Sequence, residues 1–366
     1  MKLRLTAVCA ALASAPAFAQ SSSVTLYGVV DVGLTHASGS VSSVTAMNSN
    51  RNASSRLGFR GSEDLGGGLS ASFTLEGDVL VDSGSGVTTP LPGWASTTNT
   101  TGGASGGFQF NRIATVGLAG GFGELSLGRN YTPTFLVDAT YDPFTSNGVG
   151  FSLISGTGVF YTAVGSVNHL RASNLISYVT PKFGGFAATL AYAPSEAQST
   201  APKDGSYTGL RLSYAKGPAN ADFAMGKTTL AAVGDLRTTS FGASYDFGVV
   251  KPMFEYSEDK QGAAGANGRK KGYVLGAWVP AGPGQVRFQW GRVTRTSDIA
   301  AEGKVSQVAL GYVYNLSKRT AIIATVTRVK NSNYVNGPGA GYQVGGVATS
   351  PNSSVNAQDI GIRHIF

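Results

Sequence analysis

Period-two alternation of apolar and polar side chains constrains this chain more than any other feature. It recurs from one end of the sequence to the other, and helical periodicity is almost absent. In residues 24–34, Leu26, Val30, Val32 and Leu34 share one face, and Tyr27 and Asp31 share the other. In residues 69–78, Leu69, Ala71, Phe73 and Leu75 oppose Ser70, Ser72, Thr74 and Glu76. The same pattern sets Leu210, Leu212 and Tyr214 against Arg211 and Ser213, and Val286, Phe288 and Trp290 against Arg287 and Gln289. The alternation predicts sixteen strands, at 24–34, 54–62, 68–79, 109–119, 122–130, 171–180, 183–193, 205–216, 219–230, 236–247, 249–259, 271–280, 284–296, 303–315, 318–330 and 355–366. Strands of about ten residues have the length a tilted strand needs to cross a bilayer.

The connections alternate between short and long. Residues 120–121, 181–182, 217–218 and 316–317 are tight, whereas 35–53, 80–108, 131–170 and 331–354 are extended. Tight turns at one end and long loops at the other are the pattern of an outer-membrane barrel. A sheet in hydrocarbon must close, because an unpaired backbone group there costs several kcal/mol. An even strand count lets the first and last strands pair and removes the edges. A barrel of about sixteen strands is too wide for side chains to fill and holds an aqueous channel. The polar positions then face water and the apolar positions face lipid. Aromatic residues near strand ends (Tyr27, Tyr178, Phe183, Tyr192, Tyr214, Phe247, Tyr256, Tyr312 and Phe366) suit the interfacial girdles. Composition agrees: 13% of residues are charged, about half the ~25% usual in soluble domains.

The amino terminus reads as an export signal. Lys2 and Arg4 precede a short apolar run, and Ala17-Phe18-Ala19 forms a cleavage site. Residues 1–19 are expected to be removed, leaving residues 20–366 as a single domain. The only cysteine, Cys9, leaves with the signal, which excludes disulfides, thiolate metal sites and cysteine nucleophiles from the mature chain. The net charge falls from +8 to +6 as Lys2 and Arg4 depart, an excess too small to indicate nucleic acid. The histidines, His36, His169 and His364, lack metal-ligand spacing, and no cofactor motif is present. The chain is not expected to be an enzyme, although a barrel hydrolase stays open because a Ser/His/Asp site is a matter of geometry. A surface adhesin is the other alternative.

Four segments resemble the general bacterial porins, particularly those of β-proteobacteria. They are residues 23–31 (SVTLYGVVD), 56–68 (RLGFRGSEDLGGG), 128–131 (GRNY) and the carboxyl-terminal 361–366 (GIRHIF). The resemblance covers the whole mature chain. It implies a 16-stranded antiparallel transmembrane β-barrel in the outer membrane, with short periplasmic turns, long extracellular loops and a third loop folded into the lumen. The implied function is passive diffusion of small hydrophilic solutes and ions. The implied partners are two further copies in a homotrimer, outer-membrane lipid and lipopolysaccharide, and the barrel-insertion machinery, which reads the terminal Phe366.

The resemblance also implies a constriction. By motif, Arg56, Arg112 and Arg171 match a wall arginine cluster, and Arg129 follows the loop-entry match. The third loop, 131–170, carries only two charges, Asp138 and Asp142. These are expected to face the arginines across a narrow gap. Four arginines against two aspartates point to a mild anion preference; a channel selective for small anionic solutes is the alternative. The arginines have another reading, as partners of Glu76, Asp78 or Asp31. The Ser/Thr/Gly/Asn-rich second loop is expected to reach a neighbouring subunit.

Overall fold

A computed structural model describes residues 23–87, 105–156, 170–195, 203–231, 234–262, 267–297, 300–334 and 342–366. Residues 1–19, expected as the export signal and holding Cys9, most of the second loop and residues 157–169 of the third loop lie outside the described residues. The strands in chain order are β1 (Ser23–Ser38), β2 (Ser43–Ser49), β3 (Arg56–Gly66), β4 (Leu69–Leu80), β5 (Ser85–Val87), β6 (Ser105–Gly106), β7 (Ile113–Gly120), β8 (Gly123–Tyr131), β9 (Arg171–Val179) and β10 (Phe186–Ala193). They continue as β11 (Tyr207–Lys216), β12 (Ala219–Thr228), β13 (Leu236–Tyr245), β14 (Lys251–Gln261), β15 (Gly268–Ala281), β16 (Gly284–Ser297), β17 (Ala300–Asn315), β18 (Thr320–Ser332) and β19 (Ser354–Ile365). Two helices, α1 (Pro133–Tyr141) and α2 (Leu153–Gly156), lie in the third loop.

These segments form a closed antiparallel barrel of sixteen staves. The short β5 and β6 are not staves: β5 pairs with the end of β4, through Val79↔Gly86 and Leu80↔Ser85, and with β6. β2 and β3 share one stave, because β1 pairs with β2 through Val32–Ser38 and with β3 through Ser23–Val29. The ring closes where β1 meets β19, from Val29↔Ile365 to Ser38↔Asn356. Gly28 and Phe366 then exchange a pair of 3.1 Å backbone hydrogen bonds, N–H to O in each direction.

Residues 35–53, read from the sequence as a loop, instead extend β1 to Ser38 and add β2. The stave is interrupted afterwards by an Asp31-centred knot. The Asp31 carboxylate accepts the backbone N–H groups of Arg51 (2.6 Å), Asn52 (2.9 Å) and Ala53 (2.8 Å). Three N–H groups on one carboxylate fix the bend, as charge-assisted bonds are about twice as strong as neutral ones.

The outer face is apolar: Leu26, Val116, Leu190, Leu310, Val326 and Ile360 all stand exposed on it. No described helix is long and apolar enough to cross a membrane. Phe122, Phe183, Phe186, Phe247 and Phe366 are exposed at the short-turn end and form an aromatic rim there. Tyr27 is not part of a girdle. It points into the lumen and donates to Glu76 Oε2 at 3.0 Å.

Lumenal packing is concentrated under the third loop. Gly242 and Gly276 let it press against the wall. A Cβ on Gly242 would lie 2.0 Å from Tyr141 Cδ2, and one on Gly276 would lie 2.0 Å from Pro143 Cγ. Both gaps are far inside van der Waals contact.

Candidate pore constriction

Helix α1 starts where the chain leaves β8. Thr132 caps it by accepting from Phe135 N at 3.4 Å, and Pro133 occupies the first turn, where a missing N–H costs nothing. This Thr-Pro pair is a sequence signal for a helix start that the strand pattern masks. α1 packs on β11, β12, β13 and β14. The chain after it crosses β15–β17 and reaches the β1/β19 seam. Trp278 Nε1 donates to Pro143 O at 2.8 Å, Gln307 Nε2 donates to Val149 O at 3.3 Å, and Val149 N donates to Asp359 Oδ2 at 2.9 Å. The loop therefore covers the lumenal wall from β11 round to β1. Among the described residues, the loop leaves the lumenal wall of β3, β4 and β7–β9 uncovered.

The four sequence-predicted arginines all sit on that uncovered arc. Arg112, just before β7, is 7% exposed and fully engaged. Its Nε donates to Glu76 Oε1 (2.6 Å), its Nη1 to Asp78 Oδ1 (2.7 Å) and its Nη2 to Tyr131 Oη (2.8 Å). Arg171 donates to the same Tyr131 hydroxyl at 3.0 Å, with its guanidinium 4.5 Å above the Tyr131 ring. Tyr131 in turn stacks on Phe135 at 5.3 Å. Arg56 lies 3.3 Å from Glu76 Oε2 and is 30% exposed, so its charge reaches the channel water.

Arg129 reaches the lumen through a register shift. Leu125 and Leu127 are exposed on the lipid face, so strict alternation would send Arg129 outward too. A bulge between Gly128 and Asn130 reverses the phase. Gly128 has φ +132°, and a Cβ there would lie 2.0 Å from Ala114 O, so only glycine fits. Arg129 then donates to Asn111 O at 2.6 Å and Ser173 Oγ at 3.0 Å.

Asp138 and Asp142 are not brought opposite these arginines. Both are 0% exposed. Asp142 turns back into its own loop and accepts from Phe144 N (2.8 Å), Ser146 N (2.9 Å) and Ser152 N (2.9 Å). Burial pushes its carboxyl up to about 6, against the pull of those three N–H groups. Asp138 faces the wall, where Ser240 Oγ donates to it at 3.3 Å. Burial, then the negative charge of Asp259, pushes its carboxyl up to about 7. The less buried positions of the helix are Leu136, Ala139 and Thr140, none of them charged. The carboxylates that the structure brings to the arginines are instead Glu76 and Asp78, on the same wall. Tyr131, which ties two guanidinium groups together, is the residue sequence reasoning missed. Its place directly after Arg129-Asn130 at the loop entry was the available signal.

The sequence matches the Gram-negative porin family over residues 5–334. The chain belongs to that family. Among its relatives, outer membrane porin protein 32 of Delftia acidovorans is 37% identical over the whole of both chains. An outer membrane porin of Bordetella pertussis is 27% identical, also over the whole of both. The solved structure of an anion-selective porin from Comamonas acidovorans superposes with a TM-score of 0.79 at 35% identity, covering 94% of this chain and all of that one. The protein is thus a porin of the outer membrane, a water-filled channel for passive diffusion of small hydrophilic solutes and not an enzyme.

Proposed function

We propose that this porin conducts small anions in preference to cations, and that Arg56, Arg112, Arg129 and Arg171 set the preference. The observation that carries the reading is the imbalance at the opening. Four guanidinium groups share one arc of wall with two carboxylates, Glu76 and Asp78, while the two loop aspartates are buried. Guanidinium groups stay ionised at any working pH and hold fixed geometry. In a narrow aqueous gap their field lowers the barrier for anions and raises it for cations.

The division of labour follows from exposure. Arg112 bridges Glu76 and Asp78 and orients Tyr131. Arg56, which shares Glu76 with Arg112, is less buried, as are Arg129 and Arg171, and the four arginines together leave two positive charges uncompensated by the two carboxylates. The anion selectivity named for the Comamonas relative is consistent with this assignment. We further infer, from family membership, that the functional unit is a homotrimer and that Phe366 serves as the terminal signal for barrel insertion. The test is reconstitution in planar bilayers under a salt gradient. Discrete ohmic steps with a zero-current potential on the anion side are expected. A cation-side potential would overturn the proposal.

A further inference from the structure

Both helices of the third loop meet the wall at one buried charge cluster that stands apart from the arginines. Asp138 on α1, Glu255 and Asp259 on β14 and Lys270 on β15 are each at most 1% exposed. β14 and β15 turn these three wall residues inward beneath the loop, whereas Leu275 on the other phase of β15 is exposed to lipid. Asp259 and Lys270 are partners in register.

Lys270 spans the seam between wall and loop. Its ammonium lies 2.8 Å from Asp259 Oδ2 and donates to Ile154 O at 3.1 Å. Ile154 belongs to α2, a helix of four residues, and the last four carbonyls of any helix lack a partner within it. The ammonium therefore ties α2 to the wall. Gly272, the next inward position on β15, permits the approach, since a Cβ there would lie 2.7 Å from Ile154 Cγ1.

Asp138 brings α1 to the same cluster. Its Oδ1 accepts from Ser240, but its Oδ2 and both oxygens of Glu255 receive no hydrogen bond from a donor among the described residues. The Asp138 and Glu255 carboxyls lie within hydrogen-bonding reach of each other. Two carboxylates this close in a buried site cannot both ionise readily, and one proton held between them supplies the missing donor. The carboxyl of Asp138, raised to about 7 by burial and then by Asp259, agrees with such a proton. Three carboxyls, one proton and one ammonium leave a single net negative charge; without the proton there would be two.

Other charged groups around the loop are engaged elsewhere. Asp222 of β12 is taken by Arg211 of β11 at 2.9 Å and by the Tyr141 hydroxyl at 2.8 Å. Tyr207 of β11 lies beside Thr132 and Thr134 at the start of α1. β13 presents only the hydroxyls of Thr238 and Ser240 to the cluster. Asp142 is held by three backbone N–H groups, with Arg287 of β16 nearby. Arg295 of β16, opposite Lys270 in register, lies 6.0 Å from the Tyr334 ring.

We propose that Lys270 and Glu255 are positioning residues of the channel: with Asp138 and one shared proton they clamp both helices of the third loop to the wall and so fix the width left for solutes. The clamp holds whichever ion the channel prefers. It loosens when the proton leaves, because the seam must then bury a second negative charge.

Single-channel recordings from about pH 5 to pH 8 test the proposal, with open-channel noise as the readout. The proteins are wild type, Glu255→Gln, Lys270→Met and the double variant. Wild-type noise should rise with pH. Glu255→Gln puts a permanent amide donor beside Asp138, so the rise should shrink to about half or less. Lys270→Met keeps the length of the stem and strands the carboxylates without their cation, so noise at about pH 7 should at least double. In the double variant the missing acid offsets the missing cation, and noise should fall back below that of Lys270→Met. Side chains that merely filled space would give additive effects instead. A Glu255→Gln profile that superposes on the wild type would overturn the proposal, and this near-isosteric variant decides the matter even if Lys270→Met yields no folded barrel. A double variant noisier than Lys270→Met would overturn it too.

Discussion

At the scale of the residue, the arginines differ in function because they differ in exposure. Arg112 is locked by two carboxylates and a phenol, whereas Arg56 keeps nearly a third of its surface in water. Arg112→Ala would strand Glu76 and Asp78 in the wall with half their compensation gone. Breaking a buried ion pair costs about 3–5 kcal/mol, so the variant should unfold at a markedly lower temperature by circular dichroism. An unshifted transition would show that the network adds nothing to stability. The arginines were legible in the sequence, since each sits in a family-like motif. Their acidic partners were legible only in part. Alternation puts Glu76 on the polar face of its strand, but its pairing with Arg56 and Arg112 depends on the registers Arg56↔Asp78 and Glu76↔Ile113. Asp138 and Asp142 misled because a loop charge has no face until the loop is folded. Both turn towards protein here, so they seat the loop and do not line the channel.

At the scale of the element, the third loop is held by shape and by its own carboxylates. Gly242→Val or Gly276→Val would drive a side chain into Tyr141 or Pro143 and force the loop off the wall. Overpacking of this kind costs about 1–3 kcal/mol. Either variant should show a changed unitary conductance with more open-channel noise; wild-type traces would mean the contact does not hold the loop. No sequence rule announces these glycines, because the atoms they avoid belong to a segment far away in the chain. The helix in the loop was hidden for a different reason, since nine residues carry little periodicity and only Thr132-Pro133 marks its start. The loop should also respond to pH. With Asp142 raised to about 6 and Asp138 to about 7, docking is strongest below the ordinary carboxylate range. It weakens as pH rises through these values, because the seated loop must then bury charge that the released loop would hydrate. Current noise should therefore grow between about pH 5 and pH 8, and Asp138→Asn with Asp142→Asn should flatten the trend. Noise that falls with rising pH would contradict this sign.

At the scale of the whole molecule, closure and charge asymmetry define the channel. The sixteen-stave wall was readable from alternation and loop lengths, because every stave must present one face to lipid and one to water. The shared β2/β3 stave was not, since its break is made by the Asp31 carboxylate gathering three backbone N–H groups. Deleting Phe366 removes the paired bonds with Gly28 at the seam and should lower the yield of folded barrel on heat-modifiability gels. A normal yield would show the seam closes without it. The central claim is that a wall cluster of arginines, unopposed by the loop, sets selectivity. The most direct measurement is the zero-current potential of wild-type porin and of Arg56→Glu with Arg171→Glu in the same salt gradient. The wild type should sit on the anion side and the double variant should move well towards the cation side. Identical potentials in the two proteins would contradict the account.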